Sequence, residues 1–514
     1  MNSSVTLDWL LPLLPEFFLV VWIAIVLIYD RGLQPANRRN VGLVTAWGAF
    51  VALLLAIAAW VFFNQTNSTG QDIFWGGMIR YDLIAFVFQI MFLSALLITS
   101  LITLDTPRLQ RGEFFALLIA ATIGFSLMSA SVDLVMIYVA LELASISSYL
   151  LAGYVTEDNR STEAGMKYFI YGAFATGVML YGMSLLYGLF GETNIYGIAE
   201  SVLRLPVATN PDVWNTLAPD QQTLLSGANG IILVAAVFII VGFGFKISAV
   251  PLHFWAPDVY QGSPTSFTAF VSTASKAAGF AVFLRVFDAG VLGAPDKSSY
   301  WWAMLVAITV VTMTLGNLAA IFQKNLKRLL AYSSIAQAGY AMVGLVVFTP
   351  DGSGATMFYL LMYVFTNMAV FGVLIMVSNV SGSDDLTDLY GLSRRSPYLA
   401  LVMLFALLSL GGIPPTAGFI GKFFLFQSAV QAGYWWLAAI GILNAFVALY
   451  YYLTIVKYMY LYRSDEESVP IYVSRAARIG LGVSVFLIIL LGVYAGPAYD
   501  LTREAANSFF PFLG

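Results

Sequence analysis

The sequence has 514 residues, of which 60% are hydrophobic and 10% charged, with a formal net charge of −4. Its mean hydropathy is +0.83, whereas soluble proteins carry about 25% charged residues. This composition excludes a soluble globular protein and predicts one all-α polytopic membrane domain over residues 1–514. The chain has no cysteine and one histidine, which excludes thiolate-bound iron–sulfur clusters, cysteine-ligated zinc and a bis-histidine haem within it.

Phosphate-binding loops of the G-x-G-x-x-G and G-x-x-x-x-G-K-[ST] types are also absent from the sequence. We therefore expect no cofactor, metal or nucleic acid to be bound by this chain. The residues before the first apolar stretch include Asp8 and no lysine or arginine. Because a cleavable signal peptide begins with a basic region, we expect the first stretch to remain as a membrane anchor.

Apolar stretches long enough for a spanning helix of roughly 20 residues recur along the whole chain. We predict about 14 transmembrane segments, at 8–29, 41–63, 81–104, 112–130, 132–155, 163–190, 229–254, 265–287, 301–322, 328–348, 355–380, 398–430, 435–461 and 478–497. The longest connection, 191–228, contains three prolines and scattered acidic residues, and it is predicted to be a solvated loop.

Basic residues are distributed unevenly between the two sets of loops. Fourteen lysines and arginines follow odd-numbered segments and five follow even-numbered ones, counting Lys327 and Arg285 as loop residues. Since basic loops face the cytoplasm, we expect a multi-pass protein of the cell inner membrane with both termini on the periplasmic side.

Five further lysines fall inside the predicted segments. Lys457 lies near a segment end, where its side chain can extend to water. The other four are deep enough that each costs about 3 kcal/mol to insert, so a compensating arrangement or a function is expected. These four are Lys167, Lys246, Lys276 and Lys422.

Glu142 is the acidic counterpart of these lysines. Tyr138, Glu142, Ser145 and Tyr149 recur at helical spacing and share one face of the fifth segment. We predict that Glu142 pairs with a buried lysine. A static ion pair that only joins helices is the alternative to a functional pair.

Two segments contain breaks beside a lysine. Pro251 predicts a break just after Lys246, and His253 follows it as either a proton relay or a hydrogen-bonded structural residue. Gly411-Gly412 and Pro414-Pro415 interrupt the twelfth segment shortly before Lys422. Matched breaks in helices of opposite direction predict two inverted repeats, at residues 112–287 (segments 4–8) and 301–461 (segments 9–13).

The choice of lysine indicates which ion is handled. An ammonium group repels Na⁺ and offers it no lone pair, whereas burial and a nearby carboxylate move a lysine pKa in opposite directions. Ser272 and Thr273 are expected to solvate Lys276, and successive lysines joined by water and by Ser, Thr, Tyr and His side chains would form a relay. We therefore predict a proton relay along Glu142, Lys246, Lys276 and Lys422.

Three motifs carry a family resemblance over essentially the whole chain: KISAVPLHFWAPDVYQGSPT at 246–265, KRLLAYSSIAQAGY at 327–340 and GGIPPTAGFIGKF at 411–423. The chain resembles the antiporter-like membrane subunits of respiratory complex I, above all subunit N, which is called subunit 2 in mitochondria and has a counterpart in the photosynthetic relatives of the complex. The sister subunit M usually has glutamate where Lys422 stands, and subunit L carries a long C-terminal lateral helix.

The resemblance implies a translocase subunit of NADH:quinone oxidoreductase. It assigns proton transfer to Glu142, Lys246, Lys276 and Lys422, and it places Lys167 and His253 at positions regarded as functional. It also implies membrane-arm partners such as subunits M and K, with NADH, FMN, iron–sulfur clusters and quinone bound by partner subunits.

Two other functions stay open at this point. The first is a module of a multi-subunit cation/proton antiporter, which shares this fold and its lysines. The second is a structural spacer, for which neutralising Glu142, Lys246 and Lys422 would leave pumping intact.

Overall fold

The structure is a computed structural model, and it describes residues 10–34, 37–66, 72–203, 219–291, 300–463 and 469–507, with backbone alone for 219–226. Two of the basic residues counted for orientation, Arg204 and Lys297, lie outside these ranges, as do Pro206 and Pro211 of the predicted loop.

The described part of the chain is almost entirely helical. The first half contains α1 Leu14–Arg31, α2 Arg39–Thr66, α3 Leu83–Thr103, α4 Gly112–Ala130, α5 Leu134–Ala152, α6 Asn159–Phe190, α7 Ile195–Leu203, α8 Pro219–Ile247, α9 Trp255–Gly262 and α10 Thr265–Asp288. A short antiparallel hairpin, β1 Ile73–Phe74 and β2 Ile79–Arg80, lies between α2 and α3.

The second half continues the same architecture. It contains α11 Tyr300–Ile321, α12 Leu326–Val346, α13 Pro350–Ser381, α14 Leu392–Arg395, α15 Pro397–Gly411, α16 Ala417–Gln431, α17 Trp435–Leu461, α18 Arg475–Val493 and α19 Gly496–Asn507.

The predicted polytopic all-α fold is confirmed. Within the described ranges, thirteen helices are long and apolar enough to cross a membrane. The predicted segment 398–430 is divided between α15 and α16, each 15 residues long, so the two together supply a fourteenth crossing. The predicted break in 229–254 is also present, because α8 ends at Ile247 and α9 begins at Trp255.

The connection 191–228 differs from its prediction as a loop. The short helix α7 occupies Ile195–Leu203 and buries Ile195, Ile198 and Val202 against the bundle. Helix α8 begins at Pro219, ten residues before the predicted start of its segment. These residues were mistaken for loop because the segment is polar and rich in proline, although apolar residues at helical spacing follow Asn194.

Three helices form the interior of the bundle. In the most apolar stretch of each helix, all residues of α10 and 94% of the residues of α12 and of α13 are buried. In α1 and α17 the buried share is 33%. The peripheral helices expose large apolar side chains such as Phe174 and Leu443, as expected of surfaces that face lipid. Polar side chains within the interior helices must therefore be satisfied inside the protein.

Candidate functional site

The break between α8 and α9 holds Lys246 one residue before the end of α8. Pro251 lies in the interruption, and the freed backbone groups find side-chain partners. Trp255 donates its indole N–H to the carbonyl of Phe245 at 3.0 Å, and Thr312 Oγ1 accepts from the amide of Val250 at 3.0 Å. Irregular backbone at membrane depth is tolerated in this way when it is buried in protein.

Lys246 is 3% exposed, and its ammonium group donates to Ser145 Oγ at 3.0 Å. The same nitrogen lies 5.5 Å from the centre of the Phe125 ring. Lys246 therefore reaches α5 on the predicted face, but through Ser145 rather than through a salt bridge to Glu142. Glu142 is half-buried, and its Oε1 has no hydrogen-bond partner among the described residues.

Lys276 follows an irregular turn inside α10. Residues Val271–Ser275 form a π-helical turn, a feature that often marks functional sites. Ser272 and Thr273, expected to solvate Lys276, instead donate to the carbonyl of Ala269. Because these hydroxyls are used by the backbone, the ammonium group is solvated from another helix.

That helix is α12, which supplies Ser334. The Lys276 ammonium donates to Ser334 Oγ at 2.6 Å and also to its carbonyl oxygen. The hydroxyls of Tyr260 and Tyr363 lie 3.2 and 2.9 Å from Ser334 Oγ. Asn367 donates to the Tyr363 hydroxyl at 2.8 Å. Lys276 of α10 thus belongs to a buried network whose hydroxyl groups come from three other helices, α9, α12 and α13.

Helix α12 continues this network toward the second break. Ser333 hydrogen-bonds the Tyr452 hydroxyl, which accepts a second bond from Gln337 Nε2 at 3.0 Å. Gln337 Oε1 accepts from Tyr359, and its Nε2 also donates to the carbonyl of Leu410 at 3.2 Å. The hydrogen bonds of Gln337 therefore join α12 to the end of α15.

Lys422, in α16, binds the same end of α15. Its ammonium donates to the carbonyls of Leu410 at 2.8 Å and Gly411 at 3.3 Å, and it lies 4.6 Å from the Tyr340 ring centre. The last carbonyls of a helix lack intrahelical partners and carry partial negative charge, so a cation is favoured there. Leu410 is thus shared by Lys422 and Gln337.

Glycine at position 412 makes this approach possible. Gly412 has φ +79, and a Cβ there would lie 3.0 Å from Lys422 Cδ. Any side chain would be strained by the left-handed backbone and would press on the lysine stem. The break thus positions Lys422 as well as interrupting the helix.

Lys246 and Lys276 approach each other without a direct hydrogen bond. A Cβ at Gly279 would lie 3.2 Å from Lys246 Cγ, and Gly279 is one helical turn beyond Lys276. Nearby buried hydroxyls of Ser248, Ser275 and Tyr149 have no hydrogen-bond partner among the described residues. Buried polar atoms of this kind usually bind water, which could complete a connection between the two lysines.

Lys167 does not share this burial, so its assignment to the deep lysines was wrong. Its side chain is 37% exposed and pairs with Glu163 and Asp258, each at 2.7 Å. The four-residue displacement arose because α6 begins at Asn159 rather than at 163. Lys457 is exposed on α17, as predicted.

His253 lies in the interruption after α8 and is 5% exposed. Its ring packs on Phe254 at 4.5 Å between centres. Its Nδ1 is buried without a hydrogen-bond partner among the described residues. Among the described residues, no hydrogen bond joins His253 to a lysine. Its role as a proton relay and its role as a structural residue therefore both stay open.

Sequence reasoning missed three buried cations among the described residues and the polar face of α12. Lys327, Arg285 and Arg395, counted as loop residues, are 6%, 0% and 7% exposed. Arg285 forms a two-pronged salt bridge with Asp82, at 2.9 and 2.6 Å. The motif at 327–340 includes Ser333, Ser334 and Gln337. Polar residues inside an otherwise apolar stretch are the signal that could have identified these three as functional.

Two broken helices with buried lysines, joined through an interior polar helix, define an antiporter-like membrane protein. NADH-quinone oxidoreductase subunit N of Moorella thermoacetica is 42% identical, covering 92% of this chain and 94% of that protein. Subunit N of Desulfitobacterium hafniense is 40% identical, with 88% and 90% covered. The chain belongs to the NADH-quinone oxidoreductase subunit N family, within the wider NADH:quinone oxidoreductase/Mrp antiporter transmembrane family, whose model matches residues 131–448.

Solved structures agree with this assignment, and they confirm the resemblance drawn from the three motifs. A chain of respiratory complex I from Thermus thermophilus with bound aureothin is 31% identical, with a TM-score of 0.74 and coverage of 95% of this chain and 99% of that chain. A chain of the Mrp complex from Dietzia has a TM-score of 0.76 at 20% identity, with 98% of each chain covered, and shows the shared fold alone.

Proposed function

We propose that this chain is the proton-translocating membrane subunit of an NADH:quinone oxidoreductase, in which Glu142, Lys246, Lys276 and Lys422 carry the protons. The observation that carries the proposal is that α12 serves both lysines: Ser334 binds Lys276, and Gln337 shares the Leu410 carbonyl with Lys422. Such buried ionisable groups are costly in a membrane and are functional by default.

The proposed mechanism moves a proton between amine and hydroxyl groups, with water completing the steps at which these groups do not touch. Lys246 would exchange a proton through water with Lys276. From Lys276 the proton would pass to Ser334, through water to the hydrogen-bonded Ser333 and Tyr452, and through water again to Lys422. Approach or withdrawal of Glu142, on the same helix face as Ser145, would favour or disfavour the charged form of Lys246.

Two matched helix crossings support the proposed inverted repeats at 112–287 and 301–461. Gly124 of α4 lies against Ala144 of α5, where an added Cβ would be 2.7 Å from the Ala144 amide nitrogen. Gly316 of α11 lies against Ala336 of α12 in the same way, at 2.6 Å. Both residues of the second pair come 192 positions after those of the first.

The same offset relates the lysine partners. It matches Ser145, which binds Lys246, with Gln337, which shares the Leu410 carbonyl with Lys422. It also matches Glu142 with Ser334, which binds Lys276. The equivalent positions 145 and 337 are thus each associated with one lysine of their own proposed repeat, and Ser334 of the second repeat binds Lys276 of the first.

We propose that redox chemistry takes place in partner subunits. This chain has no cysteine to ligate an iron–sulfur cluster, and its buried lysines offer no site for NADH or FMN. Quinone reduction elsewhere would drive proton movement here, with sister membrane-arm subunits such as M and K as neighbours. The basic loops would face the cytoplasm, with both termini periplasmic.

The alternative, a module of a multi-subunit cation/proton antiporter, is not favoured. The relatives at about 40% identity over nearly the whole chain are subunits of NADH-quinone oxidoreductase, whereas the Mrp structure is 20% identical.

The proposal is tested by Lys246→Ala and Lys422→Ala in the whole complex, reconstituted in vesicles and energised with NADH and quinone. We expect assembled complexes whose proton pumping falls about tenfold or more, since proton transfer groups contribute at least that much. Lys457→Ala is the matched control, because this lysine is exposed on α17. Normal pumping by Lys246→Ala would overturn the proposal.

A further inference from the structure

A polar cavity of about 870 Å³ opens at the end of the bundle where α9 ends and where α10 and α12 begin. The loop that follows α13 closes one side of it. Its lining is charged, with Asp158, Arg160, Lys327, Asp384 and Asp385 among the residues. This cavity carries both signs of charge and is distinct from the proposed relay, because Lys246, Lys276 and Lys422 are not among its lining residues.

Lys327 forms the inner wall of this cavity. It is 6% exposed, and its ammonium group lies 3.3 Å from Asp384 Oδ2, whose side chain is 21% exposed. The same nitrogen donates to the carbonyl of Ser263 at 3.0 Å, just beyond α9, and is 3.5 Å from that of Gln261. The cation is thus held between a solvent-facing carboxylate and the carbonyls at the end of α9.

From Lys327 the protein leads inward to Lys276. Lys327 and Ser334 are seven residues apart on α12, so they share one face about 10 Å apart. Tyr260 of α9, the helix whose end binds Lys327, lies at the inner end of this interval, with its hydroxyl 3.2 Å from Ser334 Oγ. Ser334 in turn accepts from Lys276. Two converging helices therefore connect the cavity wall with the central lysine.

One further hydroxyl, that of Ser266, lies in the wall of the cavity. Ser266 lines the cavity, is 1% exposed, and its Oγ has no hydrogen-bond partner among the described residues. A buried hydroxyl of this kind is a suitable site for a water molecule.

We propose that Lys327 and Asp384 form a gated proton inlet that supplies Lys276 from this cavity, with Tyr260 as the connecting hydroxyl. Lys327 releases its ammonium proton inward through water to the Tyr260–Ser334 pair, and Lys276, having passed its own proton on, accepts it at Nζ. Lys327 then takes a proton from cavity water, so no oxidant or reductant is needed. This inference rests on the function proposed above.

Lys327→Arg separates the inlet from a purely structural role. Arginine retains the charge and the donors that hold α9 and Asp384, but it does not release its proton in proteins. In the whole complex, in vesicles energised with NADH and quinone, we expect Lys327→Arg to assemble normally and to pump at least about fivefold more slowly. Lys324→Ala, an exposed lysine three residues earlier, is the matched control and should pump normally.

Native pumping by Lys327→Arg would overturn the inlet. Parallel measurement of Lys276→Ala distinguishes this failure from that of the proposed function. If Lys276→Ala loses pumping while Lys327→Arg keeps it, only the inlet is wrong; if both pump normally, the proton relay itself is wrong.

The absence of native cysteines permits a second test that does not depend on turnover. In the assembled complex, Ser266→Cys should react with a small cationic thiol reagent added to the face that carries Lys324, and not with reagent on the opposite face. Ser148→Cys, a buried position on α5 whose native hydroxyl bonds the Ala144 carbonyl, should react at least about tenfold more slowly. Equal rates for the two variants, or labelling from the opposite face, would exclude the inlet.

Discussion

The ammonium group of Lys246 lies 3.0 Å from Ser145 Oγ, and this hydroxyl is its hydrogen-bond partner on α5. Glu142 is one helical turn away on the same face but outside salt-bridge distance of Lys246. The predicted pair of Glu142 with a buried lysine is therefore not formed in this structure, in which Ser145 solvates Lys246.

Ser145→Ala should slow proton pumping about tenfold, since it leaves a buried ammonium group without its hydroxyl partner at a cost of about 1–3 kcal/mol. Pumping per NADH oxidised is measured in energised vesicles. Ser148→Ala, which removes a hydroxyl bonded only to the Ala144 carbonyl of its own helix, should pump normally. Equal pumping by the two variants would show that Ser145 does not act on Lys246.

Gln337→Leu should uncouple Lys276 from Lys422, because it deletes the side chain that contacts Tyr359, Tyr452 and the Leu410 carbonyl together. We expect assembled complex with pumping reduced about fivefold or more, and partial recovery with Gln337→Glu, which keeps an acceptor for Tyr359. Pumping by Gln337→Leu at the native rate would contradict a role for this side chain in the relay.

Gly316→Ala and Gly177→Ala should change thermal stability in opposite directions. A Cβ at Gly316 would lie 2.6 Å from the backbone nitrogen of Ala336, so α11 and α12 must separate, whereas nothing lies within 4 Å of a Cβ at Gly177. Gly177→Ala should stabilise α6 by about 0.5–1 kcal/mol. Unfolding of the purified complex in detergent measures both, and equal midpoints would refute the close crossing.

Arg285→Met should reduce stable assembly, because Asp82 loses its two-pronged partner and keeps, among the described cations, only Arg80, whose Nε lies 3.6 Å from Asp82 Oδ2. Breaking a buried ion pair costs at most about 3–5 kcal/mol. Adding Asp82→Asn removes that charge while keeping an acceptor for the cap of α3, whose Ala85 amide donates to Asp82. The amount of complex in membranes should therefore recover in the double variant. A double variant no better than Arg285→Met would show that the salt bridge is not the reason for the loss.

Much of this architecture could be predicted because membrane-spanning helices are long and apolar stretches that are easily recognised in a sequence. Pro251 and Pro414-Pro415 predicted both breaks, and Lys246, Lys276 and Lys422 are all buried as expected. Hydropathy did not predict depth near helix ends. A helix start displaced by four residues reversed the interpretation of Lys167, and one displaced by two residues reversed that of Lys327. One turn is enough to separate a buried side chain from one that reaches water.

The partners of the lysines could not be predicted because they lie on helices far away in sequence. Ser334 is 58 residues from Lys276, and Ser145 is 101 residues from Lys246. Local spacing instead favoured Ser272 and Thr273, whose hydroxyls the backbone of α10 occupies. Helix crossings decide such contacts, and these depend on glycines such as Gly124 and Gly316 rather than on the lysines themselves.

Helix α12 bears the groups that meet Lys276 and those that connect to Lys422 within a little more than one turn. A rotation of this helix by one residue, about 100°, would withdraw Ser334 from one lysine and Gln337 from the Leu410 carbonyl at the same moment. Under such a rotation the two ends of the relay would open and close together. Substitutions at the two contacts should then be non-additive, as is found for residues that are coupled through shared structure.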